Sequence, residues 1–108
     1  MTSKSRNITT KTAKLAPVHP GEILKETLDD LDMSMNQLAQ ALRVPTNRIS
    51  AIVAGTRAIT GETALRLARY FETTPGYWIG MQAQYDLETA EDRFGAEIQS
   101  QVSPMRAA

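Results

Sequence analysis

Thr46, Asn47, Arg48 and Ser50 fall together in one stretch, SMNQLAQALRVPTNRISAIVAG, from Ser34 to Gly55. Their side chains are of the kinds that read DNA. An Asn carboxamide pairs bidentately with adenine N6/N7, and a guanidinium with guanine O6/N7. Thr46 can meet a thymine methyl or donate its hydroxyl. Ala51, one turn further on, is small enough to let a groove approach. Arg57, beyond Gly55, can reach a base or a phosphate. Ser34 and Asn36 stand where backbone N–H groups meet a phosphate, and Thr60 is placed the same way at a later helix start.

Such residues work only if something holds them. Leu38, Ala39 and Leu42 share one face of a first short helix, with Ser34 at its N-cap. Arg43-Val44-Pro45 interrupts. Pro45 biases Val44 away from helix, yet Pro is tolerated where a helix begins. In the second helix Ile49, Ile52 and Val53 point inward and Gly55 stops it. Two helices joined by so short a turn are a helix-turn-helix. The polar residues left outside the second helix sit in its first turns, where a recognition helix meets base edges.

The remaining elements follow in order. Residues 1–16 are polar and basic, with Lys4, Arg6, Lys11 and Lys14, and read as a flexible arm. Residues 17–84 form the DNA-binding domain. His19-Pro20-Gly21-Glu22 opens its first helix, with Ile23, Leu24, Leu28 and Leu31 on the apolar face. His19 has no companion at metal spacing and reads as a capping or packing residue. Thr60 caps a fourth helix, whose expected buried stripe is Leu65, Ala68 and Phe71. Thr74 before Pro75 starts a fifth, with Trp78, Met81 and Tyr85 on a stripe that covers the domain or a dimer seam. Residues 85–108 continue as an amphipathic helix that steps through Leu87, Ala90, Phe94, Ile98 and Val102. Ser103-Pro104 ends it. So late a stripe predicts a partner helix, so Trp78, Tyr85, Leu87, Phe94 and Ile98 are the expected dimerisation residues. The fold class is all-α: a compact five-helix bundle with a C-terminal helical extension.

Composition excludes several classes. The 108 residues contain no cysteine, so no disulfide or thiolate chemistry is available. There is no glycine-rich phosphate loop, HExxH or GxSxG. The acid pairs Glu22/Glu26 and Glu88/Asp92 read as solvated helix faces, and no enzyme, metal or cofactor is expected. Neither a leader-like apolar segment nor a membrane span is apparent, and a cytoplasmic location is expected. The net charge is zero, from 12 basic and 12 acidic residues, but it is divided. From Arg43 to Arg69 there are five arginines and one acid, Glu62; from Glu72 to Glu97 there are six acids and one base, Arg93. That division predicts one anion-facing surface.

The stretch LAQALRVPTNRISAIVAGTRAIT resembles the helix-turn-helix of the Cro/phage-repressor-like family. HPGEIL (His19 to Leu24), RVPTNRI (Arg43 to Ile49), GTRAIT (Gly55 to Thr60), Tyr77-Trp78 and YDLETAE are similar to one branch, the HigA-type antitoxins, and the likeness spans about residues 17 to 104. The resemblance implies a lambda-repressor-like five-helix fold. It implies a homodimer on a palindromic double-stranded operator that represses its own operon. It also implies a partner, the RelE-like ribonuclease toxin HigB. The family's base-reading positions fall on Thr46, Asn47, Arg48 and Ala51, with Arg57 beyond. Arg43 departs from the wider pattern, which commonly has Gly in the turn. A non-Gly residue at positive φ is costly, which predicts either a slightly altered turn or an Arg43 freed for a phosphate. The alternatives are a stand-alone or phage-type repressor without a toxin, and a toxin-binding protein that has lost DNA binding.

Overall fold

The computed structural model describes residues 16–106. Residues 1–15, which hold all but one position of the expected arm, lie outside them. Five helices follow in order: α1 (Pro20–Asp30), α2 (Met35–Leu42), α3 (Thr46–Val53), α4 (Gly61–Phe71) and α5 (Pro75–Gln101). No strand occurs among the described residues.

α1 begins at a buried histidine cap. The Gly21 N–H donates to His19 Nδ1 at 2.9 Å, and the His19 N–H donates to Glu22 Oε2 at 3.4 Å. The His19 ring meets Tyr85 edge-on with centroids 4.8 Å apart, so the cap also anchors α5. Leu24 and Leu28 are buried as expected, whereas Leu31 is exposed. It is the C-cap, where the helix turns away from the core. Gly21 is dictated by packing: a Cβ there would lie 1.9 Å from the Ile52 carbonyl oxygen. Only glycine lets α1 lie directly on the end of α3.

α2 starts at Ser34, whose hydroxyl accepts the Gln37 N–H at 3.0 Å while the Ser34 N–H donates to Gln37 Oε1 at 2.8 Å. This is a reciprocal capping box. The helix ends with Arg43 in the left-handed conformation, φ 62 and ψ 45. The Val44 N–H reaches back to Ala39 O and the Arg43 N–H to Gln40 O, the paired bonds of a Schellman motif. The turn therefore keeps its left-handed form without glycine, and Arg43 is exposed. Asp32 and Glu72 take the same conformation after α1 and α4, at φ 54 and φ 57.

Leu38, Leu42, Ile49, Ile52, Ile59, Ala64, Leu67 and Trp78 belong to one core. α2 packs on α3, α1 on α3 and α5, and α4 on α2 and α5. In α4 the buried face is Thr63, Ala64, Leu67 and Ala68, and Leu65 is 62% exposed. Of the expected stripe, Ala68 is buried and Phe71 packs against the core, while Leu65 does not: Ala64, Leu67, Ala68 and Phe71 follow i, i+3, i+4, i+7, and Leu65 falls to one side.

α5 is a single continuous helix of 27 residues, about 40 Å at the usual rise. The Thr74 hydroxyl accepts the Tyr77 N–H at 3.2 Å at its start. Trp78 is 2% exposed and its indole donates to Thr73 Oγ1 at 2.9 Å. It is core, and its expected place in a dimer seam is corrected, since the protomer already covers it. Gln82, also buried, accepts the Ile59 N–H at 2.8 Å. From Leu87 onward the large apolar side chains stand exposed, Leu87, Phe94, Ile98 and Val102 among them, with the Arg93 guanidinium 5.1 Å from the centroid of the Phe94 ring.

Candidate nucleic-acid interface

The first turns of α2, α3 and α4 lie side by side, tied through two side chains of α3. The Thr46 hydroxyl donates to Asn36 Oδ1 at 2.8 Å, joining α3 to α2. Arg48 Nη1 lies 3.4 Å from Glu62 Oε1, joining α3 to α4. Helix starts carry unpaired N–H groups and partial positive charge, which suits an anionic backbone. Beneath them Ile49 and Ile52 are fully buried, so the orientation of α3 is set by the core. Pro45 stands at its N-cap with no side-chain cap bond, which leaves the first turn open.

The expected site residues take distinct places on this surface. Thr46 and Asn47 are exposed at the opening of α3, with Ser50 and Ala51 half-buried behind them. The Ser50 hydroxyl turns back to Asn47 O at 3.3 Å. The Ala51 carbonyl accepts from the N–H groups of Thr56 and Arg57 and from the Thr56 hydroxyl, which fixes the loop after the helix and places exposed Arg57 beside its end. Arg43 is exposed in the turn. Ser34 works as a cap, with its hydroxyl and N–H both held by Gln37. Thr60 is the N-cap of α4 by position and makes no cap bond; its hydroxyl donates to Thr63 Oγ1 at 3.4 Å.

Arg48 differs from the rest. Its side chain is 19% exposed, drawn toward α4. Glu62 in turn accepts from Arg66 Nε at 3.1 Å and Nη2 at 3.0 Å, and Arg66 Nη1 donates to Leu42 O at 2.8 Å. The hydrogen bonds from Arg66 and the charges of Arg48 and Arg66 hold the Glu62 carboxyl below the usual carboxylate range, so it is ionised at neutral pH. Glu62 and Arg66 were not expected at the site. Their i, i+4 spacing announces a helix pair, but the link to Arg48 spans fourteen positions and needs the fold. Gln37 could have been found: Ser34-x-x-Gln37 is a capping-box pattern.

Of the expected dimerisation residues, Leu87, Phe94 and Ile98 lie exposed along α5, 57%, 43% and 52% respectively. Tyr85 is half-buried against His19 within the protomer.

A helix-turn-helix with an open, polar first turn on its second helix defines a DNA-binding protein of the repressor type. A family model described as helix-turn-helix, HTH_3, matches residues 24–78. An addiction-module antidote protein of a HigA family from Coxiella burnetii superposes with a TM-score of 0.82 at 51% identity, over 84% of this chain and 100% of that one. The Pseudomonas aeruginosa antitoxin HigA, solved with the higBA promoter, superposes with a TM-score of 0.81 at 40% identity, over 83% of this chain and 99% of that one. The virulence-associated protein I of Dichelobacter nodosus is 47% identical over 79 residues, 72% of this chain and 73% of its own. The chain belongs to the HigA-type antitoxins of the helix-turn-helix family.

Proposed function

We infer that the protein is a homodimeric autorepressor that binds a palindromic operator through α3 and also binds and inhibits a RelE-like ribonuclease toxin. The observation that carries the DNA reading is the exposed first turn of α3, Thr46 and Asn47, standing over Ile49 and Ile52 that are 0% exposed. That arrangement presents donors and acceptors on a rigid support, as major-groove reading requires. The neighbour solved with its promoter supports the same use of the fold. In this reading residues 17–84 hold the DNA-binding domain, and the exposed stripe of α5 from Leu87 onward holds the dimer.

Two recognition helices on successive major grooves place the half-sites about 34–36 Å apart. A gel shift with the region upstream of the reading frame tests the repressor role, and its affinity should fall steeply with salt. Absence of a shift at low salt, from a folded dimer, overturns that role. Co-expression with the adjacent reading frame tests the toxin role: a co-purifying ribonuclease whose activity this chain suppresses is the expected result.

A further inference from the structure

Glu62 is the one acid between Arg43 and Arg69, on the surface proposed above to face DNA. A carboxylate there repels phosphate, so it weakens binding unless it does something else. Its position is not loose. Arg66 grips Oε2 with two N–H groups and is itself fixed to the Leu42 carbonyl at the end of α2. Oε1 is left for Arg48, whose side chain is 19% exposed as a result. Arg48 also sits in the first turn of α3, which holds no acid of its own. A cation is disfavoured at that helix end, and Glu62 offsets it.

We propose that Glu62 is a specificity-determining residue: it withholds Arg48 from the phosphate backbone and gives it up only to a base edge. A phosphate is also a bidentate acceptor for a guanidinium, but at Arg48 it would lie beside the Glu62 carboxylate and be repelled by it, whereas a base edge is uncharged. A guanine edge offers two parallel acceptors, O6 and N7, in fork geometry. The exchange therefore favours the correct sequence and suppresses binding elsewhere, which is discrimination by an element that opposes the wrong partner. The inference rests on the operator-binding reading above.

The test uses gel shifts on two duplexes of equal length, the native upstream region and a scrambled version. The proteins are wild type, E62Q, R48A and the double variant E62Q/R48A. Glu62 is 57% exposed, and Gln retains an acceptor for Arg66, so folding is preserved. E62Q should bind the scrambled duplex about two- to fivefold tighter, the range of an exposed ion pair, and gain less on the native one. R48A should leave scrambled binding nearly unchanged in the wild-type background and cancel the gain of E62Q. Equal gains on both duplexes, or a gain that survives R48A, overturn the proposal. Wild type binding both duplexes alike counts against the operator reading instead. Heparin chromatography then decides the role of Glu62 alone: E62Q should elute at higher salt, and E62Q/R48A should return to the wild-type position. R48A lowering elution equally in both backgrounds overturns it.

Discussion

The Thr46 hydroxyl donates to the Asn36 carboxamide oxygen across 2.8 Å, so the first residue of α3 is held by the helix before it. The two side chains are exposed, and the bond does little for the core. In the operator-binding reading proposed above, its effect is on the angle at which α3 meets a groove. A double-mutant cycle of Thr46→Val and Asn36→Ala should show a coupling of about 0.5–1 kcal/mol in operator affinity. The melting midpoints of the same variants should stay close to wild type. Additive losses in gel-shift titrations would mean that each residue acts on DNA separately.

Arg48→Ala should cost about 1–3 kcal/mol on the native operator and relax preference at one base position. The Glu62 contact sharpens this expectation, because a withheld guanidinium contributes little to binding elsewhere. Affinities over a set of single-base operator variants separate the outcomes. A uniform loss over all sequences would make Arg48 a phosphate contact.

Gln82 fills a gap in the core that no apolar residue can fill. Its Oε1 accepts the buried Ile59 N–H at 2.8 Å, and its Nε2 donates to Asp86 at 3.0 Å. Gln82→Leu keeps much of the volume and leaves the Ile59 N–H without an acceptor. An orphaned buried donor costs about 1–3 kcal/mol, which should lower the midpoint of urea unfolding without changing its slope. The loop from Thr56 to Ile59 should loosen as well, visible as faster amide exchange at Ile59.

How much of this was legible in the sequence depended on how local the cause was. The Leu38, Ala39, Leu42 and Ile49, Ile52 faces follow from helical period alone, and they emerged as expected. Leu65 failed because α4 is rich in apolar residues on adjacent positions, and period alone does not choose between a stripe through Ala64 and Leu67 and one through Leu65. Trp78 lies on an apolar stripe whose period does not say whether its own domain or a second copy covers it. Its burial depends on Phe71 and the end of α4, 6.0 Å between ring centroids, and only the fold reveals it. Arg43 was legible as a misfit in the turn. That the turn would keep its left-handed form was not, since the backbone bonds to Ala39 and Gln40 that hold it are independent of side-chain type.

Glu72 offers a test of the same point away from the interface. It ends α4 at φ 57 and ψ 43, with its N–H bonded to Ala68 O and the Thr73 N–H to the same carbonyl. A residue with a Cβ is strained in that conformation by about 1–2 kcal/mol. Glycine removes the strain and gives back part of the gain through a freer unfolded chain. Glu72→Gly should therefore stabilise the protein by about 0.5–1 kcal/mol, read from the denaturation midpoint. An unchanged or lowered midpoint would show that the Glu72 side chain supplies a compensating contact.

The exposed stripe of α5 carries the last prediction. Phe94 and Ile98 are one turn apart on the helix and remain 43% and 52% exposed in the single chain. Neither takes part in the core of the protomer. Burying a side chain of this size contributes about 1.5–3 kcal/mol, so a helix that leaves several in water gains by pairing. Phe94→Asp with Ile98→Asp should convert a dimer to a monomer by sedimentation while the helical circular dichroism is largely kept. Operator affinity should fall with it, because each monomer then holds one half-site without the other. If the doubly substituted protein sediments as a dimer, the stripe serves another partner, and the toxin becomes the first candidate to test by co-purification.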